Sequence, residues 1–261
     1  MSRNLIVCFD GTNNQFGAHD TNVVRLVQAL ERFGDRQLVY YDPGVGTLPE
    51  PGLVTHVASR VSELVGLAFG VGLVGKIERA YAFLLRNWQP GDRVFLFGFS
   101  RGAYTARALA GLLHMFGLLR PSHENLLPYV MRLFRGSRRI EDKNAKIWRL
   151  SAQFRNTFAC DAGVEHRRFR VHFVGVWDTV SSVGWIWDPV KFVHTAANPS
   201  IATVRHAVAI DERRSFFRQN LFAADVHGQD LVELWFPGSH CDVGGIWRSE
   251  ERRVGKECRS R

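Results

Sequence analysis

Five stretches of the chain are short, apolar and rich in β-branched or aromatic side chains: 5–9, 38–41, 94–99, 169–177 and 231–236. Most end on a turn-forming or polar residue, as buried strands do. Between them the apolar positions recur at helical spacing. Val23, Val24, Val27 and Leu30 form one stripe, and Ile77, Tyr81, Leu84 and Leu85 a second. A third begins at Ala103 and carries Ala106, Leu109, Ala110, Leu113 and Phe116. Strands alternating with helices predict an α/β fold, with a mostly parallel central sheet covered by helices on both faces. On this reading His172 lies in a strand and His206 in a helix.

Two stretches sit outside that alternation. Residues 64–75, LVGLAFGVGLVG, read as a loop and helix start packed near the active site, with a membrane-touching lid as the alternative. Residues 132–146 are dense in charge and include Gly136 and Ser137, which suggests an exposed excursion such as a cap insertion. No run reaches the 18 apolar residues of a spanning helix. The first apolar run is too short for a signal peptide, so synthesis in the cytoplasm without Sec-type export is expected.

At 261 residues the chain suits one large domain. Residues 248–261, RSEERRVGKECRSR, read as the translation of a sequencing-adapter oligonucleotide. The expectation is therefore a catalytic domain over 1–247, incomplete at its C-terminus, and a non-native tail over 248–261. That tail supplies +3 of the formal +9 charge. The rest is scattered rather than blocked, so it singles out no nucleic-acid partner. Cys8, Cys160 and Cys241 lack zinc-site spacing and read as reduced thiols.

The sharpest local signal is Gly98-Phe99-Ser100-Arg101-Gly102, a GxSxG between an apolar strand and an Ala-rich helix. A chain that turns abruptly from strand to helix exposes the serine hydroxyl above the sheet. Side chains at Gly98 and Gly102 would collide across that turn. The N–H of Arg101 is the expected first oxyanion donor.

A serine hydroxyl needs an imidazole base, and the base needs a carboxylate to orient it. In the order Ser, acid, His, the strand 169–177 ends at Asp178 and the strand 231–236 leads into Pro237-Gly-Ser-His240-Cys-Asp242-Val-Gly-Gly. Asp178 would orient His240, and His240 would deprotonate Ser100. Asp242, only two residues from His240, more naturally holds the loop through backbone N–H groups.

The first strand runs into Asp10-Gly11-Thr12. DGT after a strand also resembles haloacid dehalogenase-like phosphatases, but the nucleophilic aspartate two residues earlier is here Cys8. Two readings of this loop stand side by side. Gly11 or Thr12 gives a second oxyanion N–H, or Asp10 hydrogen-bonds its own turn.

Taken together, FDGTNN at 9–14, GFSRGAYTAR at 98–107, GVWDTV at 175–180, AIDERRSFF at 209–217 and WFPGSHCDVGG at 235–245 are specific as an ordered set. They resemble a bacterial and fungal family of α/β-hydrolase-like proteins that includes the type VI secretion phospholipase effectors. The resemblance runs from the start of the chain to about Trp247. It implies a Ser100–Asp178–His240 triad, lipid or other ester substrates, and no metal or organic cofactor. Effector members often carry further membrane-associating regions, and peripheral membrane contact fits the substrate class. The cluster Asp211 to Arg214 reads as structural. Two other classes stay open: a non-catalytic module with a misaligned triad, and a metal-dependent hydrolase using Asp10, Asp178, His240 and Asp242. The sequence gives no oligomeric state.

Overall fold

The computed structural model describes residues 2–11, 20–30, 36–44, 61–137, 145–163, 168–180, 184–185, 188–189, 192–214, 217, 219–223 and 228–246. For 61–71, 145, 184–185 and 188–189 the description is of the backbone alone. The expected tail, 248–261, lies outside these residues, and so does Thr12.

Six strands form one sheet: β1 (Asn4–Phe9), β2 (Gln37–Asp42), β3 (Arg93–Phe99), β4 (Val171–Trp177), β7 (Ile201–Ala209) and β8 (Asp230–Phe236). Their order is β2-β1-β3-β4-β7-β8, and every pairing is parallel. A separate two-stranded ribbon pairs β5 (Gly184–Trp185) with β6 (Asp188–Pro189). The helices are α1 (Asn22–Ala29), α2 (Val61–Asn87), α3 (Arg101–Phe116), α4 (Leu127–Gly136), α5 (Ala145–Phe158) and the short α6 (His240–Val243).

Side chains alternate across the sheet as the pleat requires. Leu5, Val7, Phe9, Val94 and Leu96 join the large core shared with α2, α3 and α4. Ile6, Cys8 and Phe99 join Val23 of α1 on the other face. The sheet is therefore helix-covered on both faces, as an α/β-hydrolase-like fold demands. The strand order runs outward from β1 to β2, then returns across β1 to β3. Loops after β1 and β3 thus diverge at a switch point, where open parallel sheets form their crevice.

The strand β7 is absent from the sequence expectation, which assigned His206 to a helix. His206 is instead buried within β7. Polar residues hide this strand: IATVRHAVA carries Thr203, Arg205 and His206 where an apolar run is expected. The imidazole is tolerated inside because Nε2 accepts the Thr179 N–H at 3.2 Å and Nδ1 lies 2.7 Å from Glu233 Oε1.

Residues 64–75, read as loop and helix start, belong to the continuous helix α2. Among the described residues no helix is long and apolar enough to cross a membrane. Of the charged stretch 132–146, read as an exposed excursion, residues 138–144 lie outside the described residues. Its first residues are the end of α4, which buries Val130, Met131 and Phe134 and turns Arg132 and Arg135 to solvent.

Candidate active site

Ser100 stands between β3 and α3 with φ 58° and ψ −122°. A non-glycine residue is held in this sparsely populated region only where its surroundings over-determine it. Two glycines make the turn feasible. A Cβ on Gly98 would lie 2.5 Å from Gly102 O, across the turn as the sequence suggested. A Cβ on Gly102 would meet a different wall, 2.3 Å from Phe9 O and 2.5 Å from Asp10 O. The start of α3 thus packs directly on the end of β1.

His240 opens α6, after β8. Its Nε2 lies 2.8 Å from Ser100 Oγ, and its Nδ1 lies 2.6 Å from Asp178 Oδ2. All three residues are buried. Asp178 has a second fixed contact, since its Oδ1 accepts the Ala209 N–H at 3.0 Å. With one oxygen bound to backbone, the other is aimed at the imidazole. The hydroxyl, imidazole and carboxylate form one hydrogen-bonded line, assembled from the ends of β3, β8 and β4.

The surrounding loops are tied down one by one. Asp242 Oδ2 accepts the Ser239 N–H at 2.8 Å and the Ser239 hydroxyl at 2.9 Å, which closes the turn before His240. Asn22 anchors the other side. Its N–H donates to Gly244 O at 2.8 Å and its Nδ2 to Val243 O at 2.9 Å. Gly244 is close-packed too: a Cβ there would fall 2.1 Å from the Phe99 ring, which stacks on His240 at 4.7 Å between centroids.

In the loop after β1 the hydrogen bond of the second reading is present at Gly11, while Thr12 lies outside the described residues. Gly11 N–H donates to Asp10 Oδ1 at 2.7 Å, so Gly11 does not present its N–H as an oxyanion donor here. Asp10 Oδ2 accepts from Thr21 Oγ1 and Tyr41 Oη, both at 2.9 Å. Burial pushes the Asp10 carboxyl up from its ordinary value, against these hydrogen bonds. Asp10 thereby links β1, β2 and the cap of α1 beside Ser100. Arg101 opens α3, whose first N–H groups lie at Ser100. Burial draws the Arg101 guanidinium down to about 10.

Neither rival chemistry gathers its atoms. Burial, then the charge of Asp10, pushes the Cys8 thiol up to about 12, which leaves it unsuited to act as a nucleophile at neutral pH. The four residues of the metal reading point to different partners: Asp10 to its own loop, Asp242 to Ser239, and Asp178 to His240. Among the described residues no three His, Cys, Asp or Glu side chains are grouped to hold a metal ion. A module that had lost its chemistry would leave Ser100 apart from His240, and the two are in hydrogen-bond contact.

Several residues around the site were given no contact to it, or only a structural role, by the sequence reading. Glu212, Arg214 and Phe217 approach His240 from the segment after β7. Tyr104 Oη accepts the Phe192 N–H at 2.9 Å, and the buried Arg107 braces the 195 and 220–221 backbones. All five lie inside motifs already singled out, GFSRGAYTAR and AIDERRSFF, so the signal was present without a contact to interpret it.

Residues 3–259 match the family described as the type VI secretion phospholipase effector Tle1-like catalytic domain. The uncharacterized protein YEL023C of Saccharomyces cerevisiae is 35% identical over 243 residues, 90% of this chain and 35% of that protein. The chain thus spans about a third of the length of the curated relative it matches. Among solved structures, the Tle1 effector bound to the VgrG spike of the type 6 secretion system is 19% identical. That match covers 95% of this chain and 52% of that one with a TM-score of 0.50, a likeness of fold. An uncharacterized protein from Pseudomonas aeruginosa is 19% identical over 94% of this chain and 42% of that one, with a TM-score of 0.48.

Proposed function

The chain belongs to the Tle1-like family of type VI secretion phospholipase effectors, as their catalytic domain, and from that premise we propose that it is a serine hydrolase cleaving carboxylic esters of phospholipids. The observation that carries the proposal is the line from Ser100 Oγ through His240 to Asp178, at 2.8 and 2.6 Å.

The chemistry follows from that line. His240 Nε2 takes the Ser100 proton as Oγ attacks the ester carbonyl. His240 Nδ1–H donates to Asp178 Oδ2, which keeps Nε2 as the acceptor and stabilises the imidazolium. The oxyanion forms against the N–H groups that open α3, with Arg101 N–H first among them. The tetrahedral species collapses as His240 returns its proton to the leaving alcohol, and Ser100 keeps the acyl group. Water, deprotonated at Nε2, then attacks the acyl-enzyme and regenerates the hydroxyl. No step calls for a metal or an organic cofactor. Delivery through a type VI apparatus is what the family's name describes, and the ester-cleaving chemistry does not depend on it.

A fluorophosphonate probe and phosphatidylcholine vesicles test this reading. The expected result is labelling of the protein and release of fatty acid, both lost in Ser100→Ala. Labelling that survives Ser100→Ala, or fatty-acid release that survives it, overturns the proposal.

A further inference from the structure

The segment after β7 reads from sequence as a structural charge cluster, yet it reaches His240 from a side the triad does not use. Glu212 Oε2 accepts the backbone N–H of His240 at 3.3 Å. The same carboxylate binds the Arg214 N–H and Nε at 2.8 Å each and Nη2 at 2.7 Å. The Arg214 guanidinium lies 4.0 Å from the centroid of Phe217, and the Phe217 ring lies 4.7 Å from the imidazole of His240. Phe99 stacks on the imidazole at 4.7 Å. Asp211 holds the turn ahead of the histidine, where its Oδ2 accepts the Gly238 N–H at 2.7 Å and its own N–H donates to Gly238 O at 3.1 Å.

Exposed ion pairs contribute little, but the Glu212 side chain is only 2% exposed, so its charge needs a partner. Arg214 supplies that partner with a two-point grip and reaches from it to an aromatic ring on the base. An imidazole that must hold two hydrogen bonds at once tolerates little rotation, and catalysis falls steeply with small misplacements.

We propose that Glu212, Arg214 and Phe217 form a positioning unit for His240, resting on the reading of His240 as the general base. Glu212 fixes the backbone from which the imidazole projects. Phe217, with Phe99, fixes the ring. Arg214 neutralises the carboxylate and holds Phe217 in place.

Among the described residues, the charged and titratable groups around His240 come from four places. Asp178 comes from the end of β4, the Ser100 hydroxyl from β3, Glu212 and Arg214 from the segment after β7, and Cys241 and Asp242 from its own helix. The Arg214 hydrogen bond pulls the Glu212 carboxyl down to about 2, so the pair stays ionised through the neutral range. Removing one member leaves the other's charge beside the imidazole, and the two removals have opposite signs.

The test follows the imidazole of His240 by NMR titration, assigned with His240→Gln, alongside fluorophosphonate labelling rates. Arg214→Met keeps a side chain over Phe217 but leaves the Glu212 carboxylate unneutralised, so the titration midpoint rises. Glu212→Gln leaves the guanidinium, so the midpoint falls. Each shift is expected at about half a pH unit, with labelling slowed roughly tenfold in both variants. Arg214→Lys restores the charge and returns the midpoint toward wild type. Midpoints that stay put or move together overturn the unit, as do labelling rates at the wild-type level. Midpoints that separate in a protein that resists labelling sink the hydrolase reading and leave the grip on His240 standing.

Discussion

The backbone N–H of Ser100 donates to the carbonyl oxygen of Trp177 at 3.0 Å, which ties Ser100 to the residue just before Asp178. The link is returned two residues beyond Asp178, where the Val180 N–H donates to Ser100 O at 3.3 Å. The two turns are therefore one hydrogen-bonded unit. It holds both Ser100 and Asp178 at positive φ, 58° and 36°, conformations that cost free energy and persist where neighbours fix them.

Asp178→Asn tests what the acid does inside this unit. Ala209 N–H needs an acceptor, so the amide oxygen of Asn takes the role of Oδ1 and the NH₂ faces His240. Nδ1 must then accept, the ring proton moves to Nε2, and Ser100 loses its base. Ester hydrolysis should fall by roughly three to four orders of magnitude while the thermal midpoint barely moves. Activity within tenfold of wild type would show that the tautomer does not matter.

How much of this could be read in the sequence follows the same division. β1, β3 and β4 were legible because their runs are apolar, and Ser100 because its glycines permit one strained turn. Asp178 and His240 were legible through their order after strands. β7 was not, since Arg205 and His206 break its pattern and are accommodated through partners such as Asp230, Glu233 and Thr179. The hold of Glu212 on His240 was also hidden, because it spans 28 positions and depends on a backbone N–H. Gly11 shows the converse: its motif allowed two roles, and only the bond to Asp10 separates them.

The two walls of the serine turn make a stability prediction. Gly102→Ala drives a Cβ into the backbone oxygens of Phe9 and Asp10, at and just past the end of β1, which cannot yield as a side chain would. A cost of about 3 kcal/mol or more is expected. Gly136→Ala in α4 meets nothing within 4 Å and should be neutral or slightly stabilising. Urea denaturation of both variants gives the comparison, and equal midpoints would refute the close approach of α3 to β1.

Arg107 is 1% exposed and, among the described residues, has no carboxylate as a hydrogen-bond partner. Its Nε donates to Thr195 O at 2.6 Å, Nη1 to Asn220 O, and Nη2 to Asn220 Oδ1 at 3.2 Å and Leu221 O at 3.1 Å. The guanidinium also lies over Phe222 at 3.9 Å. Arg107→Met keeps the stem but takes the donors from these oxygens, of which Thr195 O is buried, at a cost of roughly 2 kcal/mol or more. Arg107→Lys offers a compact point of donors that cannot span the same fork, so it should recover only part of the loss. Chemical denaturation separates the three proteins. A lysine variant as stable as wild type would mean that the charge, and not the fork, holds these loops.

The far end of α3 predicts how stability depends on pH. His114 Nδ1 lies 2.6 Å from Ser200 Oγ, and its ring sits 4.3 Å from that of His194. Burial, then the charges of His194, Arg168 and Arg155, draws the His114 imidazole down to about 3. Burial chiefly lowers His194 as well, with Arg168 adding to it. In the unfolded chain both titrate near 6.5, so between that value and the folded one the unfolded state binds the extra protons. Their contribution is complete well above about pH 6.5 and is lost as pH falls through that value, for His114 with a slope that approaches about 1.4 kcal/mol per pH unit. Between pH 6.5 and 5 ordinary carboxylates remain ionised, which isolates the histidines. Urea unfolding across that window should show the slope, and His114→Gln should remove one proton's share of it whatever the variant's absolute stability. A slope unchanged by His114→Gln would mean that His114 takes up its proton in the folded protein as readily as in the unfolded chain.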